Sequence, residues 1–241
     1  MTEREEKMIC GKVDHTNLKK TATTKDILQL CKEAEKYGAK SVCVAPHFVE
    51  YASIILKDKG PVVCTVIGFP NGYSTTAIKV AETADALMNG ADEIDMVVNI
   101  NLLKEGRYEE VLREIQAIAD VCKSGKFSDK EATLKVIVET CLLTKDEIKI
   151  MCGICISGGA DYIKTSTGFD KKGADIEDIR MMKEFIGDRG LKIKASGGIR
   201  TLEDARDMIE AGADRIGASS LFGEIRERER VRIPDDDEYC R

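Results

Sequence analysis

Two side chains in apolar, strand-like surroundings are the best placed in this chain to do chemistry. Lys164 stands in Ala-Asp-Tyr-Ile-Lys-Thr-Ser-Thr-Gly-Phe, and Asp95 in Glu-Ile-Asp-Met-Val-Val. A charged group facing a protein interior is costly without partners. A second lysine, Lys194, lies in Lys-Ile-Lys-Ala-Ser-Gly-Gly-Ile-Arg. On neighbouring strands about 4.8 Å apart, two inward lysines at similar height would bring their ammonium groups to roughly 6 Å. At an effective dielectric of about 20 that repulsion is ~2.8 kcal/mol, about two pKa units. One of the pair would then be a neutral amine near pH 7, as an imine-forming nucleophile requires. A carboxylate between the two can order a water and relay protons. Asp95 is equally readable as the salt-bridge partner of a buried lysine, and the alternative for the lysines is that one of Lys192 and Lys194 simply faces solvent. Asp14, in Val-Asp-His-Thr, adds a polar group at the same rim, with a turn or N-cap role as the alternative.

The elements that position these residues announce themselves by repetition. A Gly-Ala pair, two variable residues, a β-branched residue and one differing residue recur four times, ending at Cys43, Asp95, Lys164 and Gly217. The starting glycines, Gly38, Gly90, Gly159 and Gly212, lie 52, 69 and 53 residues apart. Each phrase follows an amphipathic stretch and enters a short apolar one, the pattern of a helix stop feeding a buried strand. Periodicity places strands at Lys12–Asp14, Ser41–Ala45, Val62–Ile67, Glu93–Val98, Leu134–Glu139, Tyr162–Lys164, Leu191–Ala195 and Arg215–Gly217. Helical patterns fall at Thr24–Tyr37, Phe48–Lys57, Thr75–Met88, Tyr108–Lys123, Lys145–Ser157, Ile176–Gly187 and Leu202–Ala211. Thr23 or Thr24, Thr144 and Thr201 are N-cap candidates ahead of acidic first turns.

Eight strands alternating with helices imply a parallel α/β sheet with right-handed crossovers. A (β/α)8 TIM barrel is the simplest solution, with an open doubly wound sheet as runner-up. The repeat favours the barrel, because each inward layer there takes four residues from alternate strands. Cys43, Asp95, Lys164 and Gly217 should then share one layer around a common cavity. The expected unit is a single domain over 1–241, with the barrel at about 9–225 and a charged tail at 226–241.

Ser196-Gly197-Gly198-Ile199-Arg200 follows the seventh strand and Gly217-Ala218-Ser219-Ser220 the eighth. Backbone amides of glycine-rich turns at helix starts bind phosphate oxygens, and barrels often place such a site after these two strands. Other features carry less. Cys152 and Cys155 lack a second cysteine pair and sit in a helical pattern, where packing explains them better than zinc or redox chemistry. Only two histidines occur, His15 and His47, which disfavours metal-assisted enolisation, so no metal site and no cofactor are expected. The Glu224–Arg230 run reads as a solvated helix face with i,i+4 pairs.

Apolar residues make up 43% and charged residues 33% of the 241, a globular composition. The net charge of −6 gives no basic footprint for nucleic acid, and no apolar run reaches the ~18 residues of a membrane span. Nine cysteines without framework spacing, and no secretion-signal pattern at the start, point to free thiols in the cytoplasm.

Ile-Lys-Thr-Ser-Thr-Gly-Phe, Ala-Ser-Gly-Gly-Ile-Arg-Thr, Gly-Ala-Asp-Glu-Ile-Asp-Met-Val, Ile-Gly-Phe-Pro and Lys-Val-Ile-Val-Glu-Thr together resemble the deoxyribose-phosphate aldolases, from Val13 to about Ser220. The resemblance implies a class I, Schiff-base aldolase on a TIM barrel. Such an enzyme cleaves 2-deoxy-D-ribose 5-phosphate reversibly to acetaldehyde and D-glyceraldehyde 3-phosphate. It makes Lys164 the imine-forming lysine, Asp95 the proton donor and acceptor, and Lys194 the second lysine that assists proton transfer. Gly168, Gly197, Gly198, Gly217, Ser219 and Ser220 match the part that contacts phosphate, and Asp14 and Thr167 complete the expected substrate-binding set. Family members are dimers or higher assemblies, so a homodimer or homotetramer is expected. Departures from the pattern are Asn71-Gly72-Tyr73, Leu221-Phe222 after the serine pair where glycine is commoner, and Phe169 where some members have lysine. Tyr239 could correspond to a C-terminal tyrosine that participates in some members.

Overall fold

A computed structural model describes residues 1–128 and 130–232. Eight strands, β1 (Val13–Asn17), β2 (Ser41–Val44), β3 (Val62–Ile67), β4 (Glu93–Val97), β5 (Thr133–Ile137), β6 (Tyr162–Lys164), β7 (Lys192–Ser196) and β8 (Arg215–Ala218), pair in parallel in sequence order. β1 also pairs with β8, so the sheet closes into a barrel and the open alternative is excluded. Seven helices return the chain: α2 (Thr24–Tyr37), α3 (Val49–Leu56), α4 (Thr76–Met88), α6 (Tyr108–Lys123), α7 (Lys145–Ser157), α8 (Ile176–Ile186) and α9 (Leu202–Glu210). Two further helices were not expected, α1 (Glu3–Cys10) and the short α5 (Ile100–Lys104), while α10 (Leu221–Arg232) contains the expected Glu224–Arg230 helix face. No described helix is long and apolar enough to cross a membrane.

Local chemistry explains the helix boundaries. Thr23, Thr144 and Thr201 each cap a helix with a reciprocal box to Asp26, Glu147 and Asp204, and Thr2 with Glu5 does the same for α1. The four phrase glycines all have positive φ, between 68° and 121°, and so release the chain from its helix. The aspartate after Gly-Ala has a second task. Asp92, Asp161 and Asp214 accept from the backbone N–H of Val63, Leu134 and Ile193, the neighbouring strands on one side. Each phrase therefore stops a helix and enters a strand, and the three that carry the aspartate also tie that strand's base to its neighbour.

Alternation then divides each strand. Val42, Val44, Ile94, Met96, Leu134, Val136, Ile163, Ile193 and Ile216 face outward into the core against the helices. The inward set follows from register. Cys43 lies opposite Cys64, which lies opposite Glu93, two residues before Asp95. The same two-residue step leads from Asp95 to Lys164, from Lys164 to Gly217, and from Gly217 back to Cys43. The circuit closes after eight residues, the shear of a (β/α)8 barrel. Cys43, Asp95, Lys164 and Gly217 thus form one layer.

The chain end differs from expectation. Residues 226–232 of the expected charged tail continue α10, whose exposed charged face is also tied to its neighbours. Arg226 pairs with Glu33, Glu229 with Lys36, and Arg228 with Glu6, while the i,i+4 contact between Arg228 and Glu224 is longer at 3.8 Å. Tyr239 lies outside the described residues.

Candidate active site

Register places two more inward layers beneath the one that the repeat marks. Directly below it lie Asp14, Cys64, Lys135 and Lys194 from the odd strands; below those lie Ser41, Glu93, Tyr162 and Arg215 from the even ones. All of these side chains are buried. Where a barrel interior usually holds branched apolar residues, this one holds a ladder of charge. The Asp95 carboxylate is its centre: Oδ2 accepts from Lys164 Nζ at 2.7 Å and Lys194 Nζ at 2.6 Å, and Oδ1 from Lys135 Nζ at 2.8 Å. Cys64 Sγ donates to Oδ1 at 3.2 Å. One rung down, Lys194 pairs with Asp14, Lys135 lies 2.7 Å from Glu93, and Arg215 bridges Asp14 and Glu93 at 2.6 and 3.0 Å.

The electrostatics fix most of these charges. Burial opposes ionisation of Asp95, but Lys135, Lys164 and Lys194 outweigh it and hold its carboxyl well below the usual range. Asp14 is likewise held low against burial by Lys194, Lys135 and Arg215. Burial also opposes the charge on Lys194 and Lys135, and the carboxylates around them overcome it, so both are held above the ordinary lysine value. Four potential cations, Lys135, Lys164, Lys194 and Arg215, therefore face three carboxylates, Asp14, Glu93 and Asp95.

Two groupings, Cys43 with Cys64 and Asp95, and Asp14 with Cys64 and Glu93, bring metal-ligand types within 4.8 Å of one another. Lys135 Nζ lies 3.2 Å from Cys64 Sγ as well as bonding Asp95 and Glu93, so an ammonium already fills the position a cation would take. Cys43 packs with Cys64, Val66, Leu18 and Phe69 as a small apolar wall inside the barrel. Cys152 and Cys155 are buried on α7, where burial pushes the Cys152 thiol up to about 12.

A cavity of about 520 Å³ opens above the ladder at the C-terminal ends of the strands. Of the three residues expected to be catalytic, Lys164 lines it; Asp95 sits behind in contact with Lys164, and Lys194 contacts the same Asp95 oxygen. Thr167, Gly168, Gly197, Gly198, Gly217, Ser219 and Ser220 all border the cavity. Asp14 does not. It was expected at the rim, but its side chain points inward one layer below Lys164 and is wholly enclosed by Lys194, Lys135 and Arg215. Phe169, which carries no charge, stands edge-on to Phe69 with ring centres 5.3 Å apart, and Lys19 and Arg226 bring cations to the rim.

Two features outside the barrel hold the frame. Lys79 on α4, fully buried, donates to Val97 O at 2.8 Å and to Glu114 of α6 at 2.8 Å, while Glu114 accepts from Asn99 N at 2.9 Å. This pair clamps the chain on both sides of Val98, at the end of the strand that carries Asp95. On the opposite side, Ala174 N donates to Ser196 O and Gly197 O, fastening the loop after β6 to the glycine turn after β7.

Sequence reasoning missed Lys135, Glu93, Arg215 and Tyr162 as parts of the site. For three of them a signal was present: Ser41, Glu93, Tyr162 and Arg215 are the fourth residues of the same Gly-Ala phrase whose sixth residues form the layer above. Lys135 lies on an odd strand outside the repeat, in Leu-Lys-Val-Ile-Val, where only its parity with Ile137 marks it as inward.

Comparison with known proteins agrees with this geometry. Residues 8–225 match the model of the DeoC/LacD family aldolases. Deoxyribose-phosphate aldolases of Metamycoplasma hominis and Carboxydothermus hydrogenoformans are 55% and 51% identical, over 84% and 88% of this chain and 89% and 91% of theirs. The tetrameric deoxyribose phosphate aldolase of Aeropyrum pernix superposes with a TM-score of 0.83 at 30% identity, covering 97% of this chain and all of its own. On this sequence likeness and shared fold, the chain belongs to the DeoC/LacD aldolase family, among its deoxyribose-phosphate aldolases.

Proposed function

We propose that this enzyme cleaves 2-deoxy-D-ribose 5-phosphate reversibly to acetaldehyde and D-glyceraldehyde 3-phosphate through an imine on Lys164. One observation carries the reading: Lys164 is the lysine of the buried ladder that reaches the cavity, and its Nζ is 2.7 Å from a carboxylate shared with Lys194. Lys135, Lys194 and Arg215 are held as cations behind it, and Lys164 is the lysine left to meet the substrate. Its lone pair attacks the substrate aldehyde to give a carbinolamine. The Asp95 carboxylate, backed by Lys194, takes the proton that the attacking nitrogen gives up and passes it through an ordered water to the carbinolamine hydroxyl, which leaves as water.

The iminium then acts as an electron sink. The Asp95 carboxylate, through the same water, takes the C3 hydroxyl proton as the C2–C3 bond breaks, releasing D-glyceraldehyde 3-phosphate and leaving the enamine of acetaldehyde on Lys164. Protonation at C2 and hydrolysis free acetaldehyde and regenerate the amine. Backbone amides near Gly168, Gly197, Gly198, Ser219 and Ser220 form the phosphate seat, with Lys19 and Arg226 as the cations at the rim in place of a charge at 169. Gly217 leaves the middle of the layer open: a Cβ there would lie 2.9 Å from Ser196 Cβ and 3.3 Å from Lys194 Cε. A homo-oligomer is the assembly we infer, supported by the tetrameric relative. The eight free cysteines among the described residues suit a reducing cytoplasm. A coupled assay for D-glyceraldehyde 3-phosphate tests the reaction: wild type should release it from deoxyribose 5-phosphate, and absence of release would sink the assignment.

A further inference from the structure

Glu139 is buried just past the end of β5, on the cavity side of the barrel, and the reaction above gives it no role. Its backbone is unusual. With φ of 53° it is one of two described residues other than glycine in the left-handed region. The strain coincides with a slip in the ladder. Val138 N donates to Lys164 O at 3.0 Å, and an unbroken parallel ladder would next join Thr140 N to Ser166 O. Instead Thr140 N donates to Thr165 O at 2.9 Å, and Ser196 Oγ takes the Ser166 carbonyl. One extra residue therefore sits on the β5 side, and that residue is Glu139. Bulges beside active sites re-aim side chains, and strained backbone persists where surrounding structure over-determines it.

The bulge turns the Glu139 carboxylate toward the segment that follows Lys164. Oε2 accepts from Thr167 N at 3.2 Å and also from the Thr167 hydroxyl, and Phe169 N donates to the same hydroxyl at 3.1 Å. A single carboxylate oxygen thus holds Thr167 at two points, and the Thr167 hydroxyl in turn holds Phe169 N across Gly168, itself at φ 82°. Resting on the proposed reaction, we infer that Glu139 is the positioning residue of the phosphate seat: from its bulge it fixes Thr167, and through it Gly168, in the conformation that receives the phosphate.

Burial pushes the Glu139 carboxyl above its usual value, Thr167 and Lys164 work against that shift, and Asp170 adds to it. The thiol of Cys141 faces the other oxygen, Oε1, at 3.9 Å. Protonation leaves Oε2 able to accept but removes its charge, so the protonated side chain resembles glutamine.

Equilibrium binding of inorganic phosphate by calorimetry reads this role without turnover, alongside kcat/KM for deoxyribose 5-phosphate relative to unphosphorylated 2-deoxyribose. Glu139→Ala should weaken phosphate binding about tenfold and lower the kcat/KM preference by a similar factor, in line with the loss of a charge-assisted bond. Glu139→Gln, which keeps the acceptor and the fold if Ala does not, should cost about threefold near neutral pH. The ratio of wild-type to Gln affinity should approach one as pH falls through the Glu139 pKa, with titration of phosphate cancelling in the ratio. Unchanged phosphate binding in both variants, or a wild-type-to-Gln ratio that ignores pH, would overturn the assignment. A wild type that binds phosphate as described but cleaves neither sugar would instead contradict the proposed reaction.

Discussion

At the scale of single residues, Asp95 is the group on which the site depends most. Its two oxygens serve three lysines and a thiol, and the neighbouring carboxylates Asp14 and Glu93 serve the remaining charges. Asp95→Asn keeps the shape but removes the charge that offsets Lys164 and Lys194. We expect kcat for deoxyribose 5-phosphate cleavage to fall at least ~100-fold, the usual scale for losing acid–base assistance. Unfolding in urea should also show a loss of about 3–5 kcal/mol, because breaking a buried ion pair leaves uncompensated charge. Retained kcat in a folded Asp95→Asn protein would remove Asp95 from the reaction. Lys164, Asp95 and Lys194 were legible in the sequence as reactive types in apolar strands. Asp14 was legible as polar but not as to depth, since one residue of strand register decides between rim and interior. Glu139 was invisible as a site residue because nothing in Val-Ile-Val-Glu-Thr announces a left-handed turn at its glutamate.

At the scale of elements, the Gly-Ala phrase did more than sequence alone revealed. It stops a helix with its glycine, ties the adjacent strand through Asp92, Asp161 or Asp214, and supplies two inward layers from its fourth and sixth positions. Strand and helix centres were readable from periodicity, and several boundaries agreed to the residue. β5 ended early because Glu139 leaves the extended region. Helices α1 and α5 escaped notice, being too short for a periodic signal to stand out. Loop docking, which no local pattern encodes, is equally decisive for the cavity. A Cβ on Gly173 would lie 2.0 Å from Gly197 O, so the loop after β6 can approach the turn after β7 only with glycine there. Gly173→Ala should force the two apart, costing about 1–3 kcal/mol in urea unfolding. It should also raise KM for deoxyribose 5-phosphate more than it lowers kcat; an unchanged KM would show that the contact does not shape the phosphate seat.

At the scale of the whole molecule, the barrel is built around a balanced column of charge where apolar layers are usual, and its stability should follow that charge. Asp14 and Asp95 are depressed in the folded state, so their contribution is complete above the unfolded carboxylate pKa of ~3.9 and is lost as pH falls below it. Lys135 and Lys194 are raised, so theirs is complete below the unfolded lysine value of ~10.4 and is lost as pH rises through their folded values. Thermal unfolding should accordingly be level from about pH 5 to 9 and fall steeply on acidification below about pH 4. A sloping Tm across the neutral range would mean that other groups dominate. The column also singles out one lysine: Lys135 and Lys194 are enclosed within it, and Lys164 is the one that meets the cavity. That claim is open to direct measurement. Borohydride reduction in the presence of acetaldehyde, followed by peptide mass spectrometry, should place a two-carbon adduct on Lys164 and on no other lysine, and Lys164→Ala should give neither adduct nor cleavage. An adduct on Lys194 or Lys135 instead, or cleavage retained in Lys164→Ala, would contradict the account.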